Sequence, residues 1–120
     1  MSSEVIFHPT RVPGAEEAVA EPEKFRDYLL NPDHPTGGAK ARFFAELGWG
    51  RDRWNELREH FLAQVPFVEG RFSRENPYNN AADYRVVIDI PRDTGEMVPV
   101  GTYWQVHPDH PTRFLTAYPL

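Results

Sequence analysis

The hydrophobic pattern of this chain changes period at Pro66, and that change restricts the folds open to it. Before Pro66, apolar residues recur about every 3.6 positions; after it they alternate, with a period of about 2. Phe25, Tyr28 and Leu29 form one helical stripe, and Ala39, Phe43 and Leu47 form another, with Phe44 beside it. Trp54, Leu57, Phe61, Leu62 and Val65 form the clearest of the three, with Arg53, Glu56, Arg58 and Glu59 on the opposite side. Helices followed by a run of strands predict an α+β fold: N-terminal helices packed on one face of an antiparallel three- to four-stranded meander.

The punctuation supplies boundaries. Residues 1–20 read as an irregular N-terminal arm broken by Pro and Gly, with a short strand at Val5–Phe7, and residues 21–120 as a single α+β domain. Asn31-Pro32 should stop the first helix, because a residue before proline disfavours the α region. Thr36 is a suitable N-cap for a second helix running to about Leu47 and closed by Gly48 and Gly50. A third helix is expected from about Asp52 to Gln64. Residues 67–72 read as a first strand and residues 73–83 as a loop. Tyr84, Val86, Ile88 and Ile90 alternate with Arg85, Val87 and Asp89 in a strong second strand. A hairpin turn at Arg92–Gly95 leads to a strand from Met97 to Val106, with Val98, Val100, Thr102, Trp104 and Val106 on one face. The last strand, Arg113 to Tyr118, is expected to put Leu115 and Ala117 on one face and Phe114, Thr116 and Tyr118 on the other.

Composition narrows the chemistry. The chain of 120 residues has no cysteine, which removes disulfides, thiolate metal sites and thiol nucleophiles. Its opening residues have neither a basic segment nor an apolar core of the secretory kind, and no apolar run is long enough for a membrane span, so a cytoplasmic setting is expected. The net charge of −5 argues against gripping nucleic acid through the whole surface. Eleven of the 13 basic residues are arginine, so the lysines at 24 and 40 stand out.

The pentapeptide Pro-Asp-His-Pro-Thr occurs twice, at 32–36 and at 108–112. The first copy leads into a helix and the second into a strand, so they are not repeats of one unit. The second reads as a hairpin turn. Its His107, Asp109 and His110 carry metal donors, but His-x-x-His lacks a third ligand at fixed spacing, and no metal or other cofactor is expected. The first copy is chemically richer. His34 precedes a helix start, Gly37 and Gly38 would let an anion approach the backbone, and Lys40 adds a full charge in the first turn. Gly37, Gly38 and Lys40 are therefore the candidate anion- or phosphate-binding residues. The alternative is a tight turn with an ordinary cap. Lys24 falls on a different helix with no glycine pair beside it. Tyr103 and Trp104 lie mid-strand, where core packing competes with base stacking.

The segment Tyr-Leu-Leu-Asn-Pro-Asp-His-Pro-x-Gly-x-x-Lys-Ala-x-Phe-Phe-x-x-Leu-Gly at 28–48, with Thr-x-Trp at 102–104 and Leu-Thr-Ala-Tyr-Pro at 115–119, resembles a family of small bacterial domains of unknown function. Such domains stand alone or at the C-termini of polymorphic toxins. That family in turn resembles the barnase–EndoU–colicin–RelE class of metal-independent ribonucleases. The resemblance implies a toxin-like endoribonuclease, acting in a cytoplasm or delivered to that of a target cell. It cuts RNA by transesterification from the 2′-hydroxyl, with His34, Lys40, Thr116 and Tyr118 as catalytic residues. It also implies a cognate immunity or antitoxin protein as partner. The competing reading is a non-enzymatic acidic partner of a toxin system, working through the helix face that carries Glu56 and Glu59. Convergence of His34, Lys40 and Thr116 in space favours the enzyme; separation favours the partner.

Overall fold

The computed structural model describes residues 4–120. Three helices and a four-stranded antiparallel sheet follow one another along the chain. A π-helical turn spans Lys24–Leu29, α1 spans Gly38–Glu46 and α2 spans Trp54–Gln64. The strands are β1 (Arg71–Asn76), β2 (Ala81–Pro91), β3 (Met97–His107) and β4 (His110–Pro119), in the order β1-β2-β3-β4. The expected α+β meander is thus the observed fold.

One sheet face is covered by the helices. Val86, Ile88 and Ile90 of β2, Val100, Thr102 and Trp104 of β3, and Phe114 and Ala117 of β4 are buried there with Phe25, Leu29, Phe44, Leu57 and Phe61. The Phe114 ring lies 4.6 Å from Phe25 and 5.7 Å from Phe61, tying two helices to β4. Burying an aromatic side chain of this kind contributes about 1.5–3 kcal/mol, which makes this triad a main support of the layer packing. Trp104 and Thr102 carry polar atoms into the core and satisfy them in series: Trp104 Nε1 donates to Thr102 Oγ1 at 2.8 Å, and Thr102 Oγ1 donates to the Val86 carbonyl at 2.7 Å.

Several boundaries depart from the sequence reading. The first helix is a wide turn in which the Leu30 amide donates to the Phe25 carbonyl, and consecutive Leu29 and Leu30 are both buried. The second begins at Gly38 rather than after a Thr36 cap, with Gly37 in the N-cap position. At its other end the Gly48 amide bonds to the Ala45 carbonyl and the Trp49 amide to the Phe44 carbonyl, which closes the helix as a Schellman motif. Trp49 Nε1 then donates to the Pro91 carbonyl at 2.7 Å, anchoring this corner to the end of β2.

The first strand is displaced from 67–72 to Arg71–Asn76, and the expected loop at 73–83 is largely paired, with β2 starting at Ala81. Polar composition hid this hairpin: β1 is an edge strand whose residues are mostly exposed, so it has no hydrophobic alternation to read. Residues 5–7 of the arm form no strand. The rest of the described arm is irregular but built into the domain. Val12, Ala15 and Ala20 are buried, and Val19 makes a parallel bridge to Arg113. Residues 1–3 of the arm lie outside the described residues.

The most consequential departure is in β4. Thr116 pairs with Tyr103 and Phe114 pairs with Trp104, so Leu115 is an extra residue in a β-bulge. Strict alternation would have put Phe114 on the face of Thr116. The bulge instead sends Phe114 into the core with Ala117 and leaves Thr116 and Tyr118 on the open face.

Candidate functional site

Lys40, in the first turn of α1, reaches the edge strand β4. Its Nζ donates to Thr116 Oγ1 at 3.0 Å and lies 5.4 Å from the centre of the Tyr28 ring. The bulge at Leu115 makes the meeting possible, because it turns Thr116 away from the core. Lys24 comes to the same place. Its Nζ donates to the Leu115 carbonyl at 3.4 Å, and burial pushes its ammonium below the ordinary lysine range. The chain's only two lysines therefore end on adjacent residues of one strand, although sequence position set Lys24 apart.

His34 joins this cluster through Tyr28. The two rings meet edge to face at 4.7 Å, so one tyrosine ring separates His34 from Lys40. The turn holding His34 is tightly organised. Its Nδ1 accepts from the amides of Thr36 at 3.1 Å and Gly37 at 3.0 Å, and its carbonyl accepts from the Gly38 amide at 3.1 Å. His34 thus caps α1. A ring that accepts at Nδ1 carries its neutral-state proton on Nε2. The two glycine amides expected to meet an anion are engaged within the chain. The glycines themselves are required by close approach: a Cβ at Gly37 would lie 3.0 Å from the Tyr28 ring, and one at Gly38 would lie 2.7 Å from the Pro32 carbonyl. The cations at this corner are lysine side chains.

The same local chemistry recurs elsewhere. His8 Nδ1 accepts from the Thr10 amide at 3.1 Å, and His107 Nδ1 accepts from the Asp109 amide at 3.0 Å. His-Pro-X thus forms a turn at His8, His34 and His107, whereas His110-Pro111-Thr112 begins β4. The second pentapeptide is a hairpin connection across which His107 pairs with His110, their rings stacking at 4.5 Å. Among the described residues, no three His, Cys, Asp or Glu side chains are grouped to hold a metal ion. What sets His34 apart from His8 and His107 is its neighbourhood, Tyr28 and Lys40.

Tyr118 lies on the open face of the sheet. Its ring crosses Gly101, where any Cβ would collide with it, and stacks on Tyr103 at 5.5 Å. Arg85 Nε donates to the Tyr118 hydroxyl at 2.5 Å. Arg85 is opposite Tyr103 on one side and Arg71 on the other, while Arg74 is opposite Asp83 and Arg113 opposite Gln105. The open face thus combines four arginines with two stacked tyrosines. The chain is acidic overall, and four of its 13 basic groups lie on this face.

A groove of about 370 Å³ opens on this face, lined by Ser73, Arg74, Asp83, Tyr103, Leu115 and Thr116. Sequence reasoning missed Arg74, Asp83 and Arg85 as site residues. The first two fell in the supposed loop, and Asp83 lacked a carboxylate partner at recognisable spacing. Arg85 could have been found, because the alternation in β2 already placed it opposite the core-facing Val86.

No helix among the described residues is long and apolar enough to cross a membrane. No curated protein and no solved structure matches the chain. One family model matches it over residues 11–120, a span that takes in the irregular arm from Arg11 onward as well as His34, Lys40, Thr116 and Tyr118. The chain therefore belongs to the family described as a domain of unknown function, DUF6883.

Proposed function

We propose that this protein is a toxin-like, metal-independent endoribonuclease. The observation that carries the reading is the meeting of Lys40 with Thr116 at 3.0 Å, one tyrosine ring away from His34. Residues far apart in sequence, and the ones the ribonuclease resemblance implies, share one corner of the fold. The arginine- and tyrosine-bearing sheet face beside them supports the same reading, since single-stranded nucleic acid is held by cations along its backbone and by aromatic rings under its bases.

In the reaction, the ribose 2′-oxygen forms a bond to phosphorus and the bond from phosphorus to the 5′-oxygen breaks. The products are a 2′,3′-cyclic phosphate and a free 5′-hydroxyl. Lys40 stabilises the charge that develops on the phosphorane oxygens, and the Thr116 hydroxyl donates a hydrogen bond to them. Tyr118, whose hydroxyl is drawn across β3 to Arg85, supports the Tyr103 ring on the adjoining face. His34, with Nδ1 occupied as an acceptor, donates a hydrogen bond from Nε2–H to the leaving 5′-oxygen, and water supplies the proton that this oxygen takes up. The 2′-hydroxyl proton passes to water in the open groove. RNA is the substrate class, and a cognate immunity or antitoxin protein is the partner such a toxin requires.

The rival reading, an acidic immunity-type partner, relied on Glu56 and Glu59. Both are compensated within the chain, by Arg53 at 2.8 Å and by Arg58 at 2.7 Å. Expression in a bacterial host tests the choice. Growth arrest with loss of intact RNA, relieved by both Lys40→Ala and His34→Ala, supports the enzyme. Normal growth with intact RNA at high levels of folded protein contradicts it.

A further inference from the structure

Asp83 is the anomaly on the open face. The residue is 7% exposed, and its Oδ2 accepts from Arg74 Nε at 3.0 Å, but its Oδ1 is buried with no hydrogen-bond partner among the described residues. A buried carboxylate oxygen without a donor is costly, so a native fold retains one where something else supplies the donor. Asp83 lines the groove that also contains Tyr103 and Thr116. Asp83 is opposite Gln105, and Tyr103 opposite Arg85, so Asp83 and Tyr103 are diagonal neighbours across β2 and β3. Such neighbours lie about 7–8 Å apart. One side of Tyr103 is stacked on Tyr118, while the residue also lines the groove.

We infer that this groove is a nucleobase subsite, in which an amino-bearing base stacks on Tyr103 and donates an N–H to Asp83 Oδ1. An ionised carboxylate only accepts hydrogen bonds, and the exocyclic amino groups of cytosine, adenine and guanine are donors that fit it. Uracil offers a single edge N–H between two carbonyls, whose oxygens face the carboxylate unfavourably. Arg74 holds Asp83 in place through Oδ2 and leaves Oδ1 unbonded; Oδ1 is covered in the free protein, so the base reaches it by moving a neighbouring side chain aside. The phosphate attached to such a nucleotide falls toward Thr116 and Lys40, since Thr116 is opposite Tyr103 in the adjoining strand. The inference deepens the ribonuclease reading and rests on it for the choice of a nucleotide ligand.

Nucleosides, which have no phosphate, isolate this subsite. Titration of the isotopically labelled protein with adenosine, cytidine, guanosine and uridine, followed by amide NMR, should shift Ser73, Asp83 and Tyr103 with at least one amino-bearing nucleoside and least with uridine. Asp83→Asn replaces the free acceptor with an amide donor and should weaken that binding about tenfold or more, the size of one lost hydrogen bond to a charged acceptor. Tyr103→Leu should weaken it as well, while Glu56→Gln, on α2 and outside the groove lining, should leave it unchanged. The remaining spectrum of each variant reports whether it is folded. Equal binding of uridine, no effect of Asp83→Asn in a folded protein, or no nucleoside binding at millimolar concentration overturns the inference. Nucleoside binding without RNA cleavage would leave the subsite standing and remove the nuclease. RNA cleavage without nucleoside binding would do the reverse.

Discussion

Lys40 and Thr116, 76 positions apart in the chain, are joined by a hydrogen bond of 3.0 Å between an ammonium and a hydroxyl. The bond lies at a partly buried edge of the sheet, so its contribution to folding is small, about 1 kcal/mol or less. Its value lies in holding a charge in place. Lys40→Ala should therefore reduce binding of inorganic phosphate or of a ribonucleotide at least tenfold while changing the unfolding free energy by less than about 1 kcal/mol. Lys24→Ala should reduce it less, because that ammonium donates to a main-chain carbonyl. Isothermal titration and denaturant unfolding measure the two quantities. A full loss of stability in Lys40→Ala would make the residue structural instead.

The bulge at Leu115 allows a second prediction. Deleting Leu115 makes Phe114 and Thr116 neighbours in sequence, so regular alternation keeps Phe114 opposite Trp104 in the core and Thr116 opposite Tyr103 on the open face. Phe114 is 1% exposed and packs on Phe25 and Phe61, so expelling it would cost about 3–5 kcal/mol. The deletion should therefore leave the protein folded and keep the Lys40–Thr116 contact and phosphate binding, while removing the carbonyl to which Lys24 donates. A deletion variant that unfolds, or that stays folded and loses phosphate binding, would show that Leu115 itself is needed to position Thr116.

Tyr118 provides a third. Its ring occupies the space above Gly101, and Arg85 bonds its hydroxyl. Gly101→Ala should push the ring off the face, break its stack on Tyr103 and lower activity on RNA about as much as Tyr118→Ala does. Tyr118→Phe keeps the ring and loses only the hydroxyl, so it should lower activity less. Ring-proton NMR shifts of Tyr103 report the stacking directly.

The second pentapeptide should be replaceable. Pro108 and Asp109 form the connection between β3 and β4, and the Asp109 amide is satisfied by its neighbour His107. An Asn-Gly turn supplies the backbone geometry that two-residue hairpins prefer. Replacing Pro108-Asp109 with Asn-Gly should leave both register and activity intact. Lost activity with unchanged thermal unfolding when His107 and His110 are both replaced by Ala would return the loop histidines to the functional residues.

The fold was legible wherever one face of an element is buried. The stripe Leu57, Phe61, Val65 and the alternation from Tyr84 to Ile90 each predicted their element, because burial imposes the period. The edge strand β1 was not legible, since Ser73, Arg74 and Glu75 have no buried face to mark. His34, Lys40 and Thr116 were named from local motif and resemblance, but what joins them was invisible. Tyr28 read as a core residue, and the bulge at Leu115 inverts the faces that simple alternation assigns. Asp83 escaped notice for another reason: its significance is an unpaired oxygen in a groove, and pairing is a property of three dimensions.

The central claim is metal-independent RNA cleavage at the Lys40–Thr116 corner, and one measurement addresses it most directly. Purified protein is incubated with single-stranded RNA in excess EDTA, and the ends of the fragments are identified. The account predicts 2′,3′-cyclic phosphate and 5′-hydroxyl ends from the wild-type chain, and a loss of at least about a hundredfold in rate for Lys40→Ala, as expected on removing one transition-state donor. Intact RNA, or cleavage at the same rate by a folded Lys40→Ala variant, would contradict it.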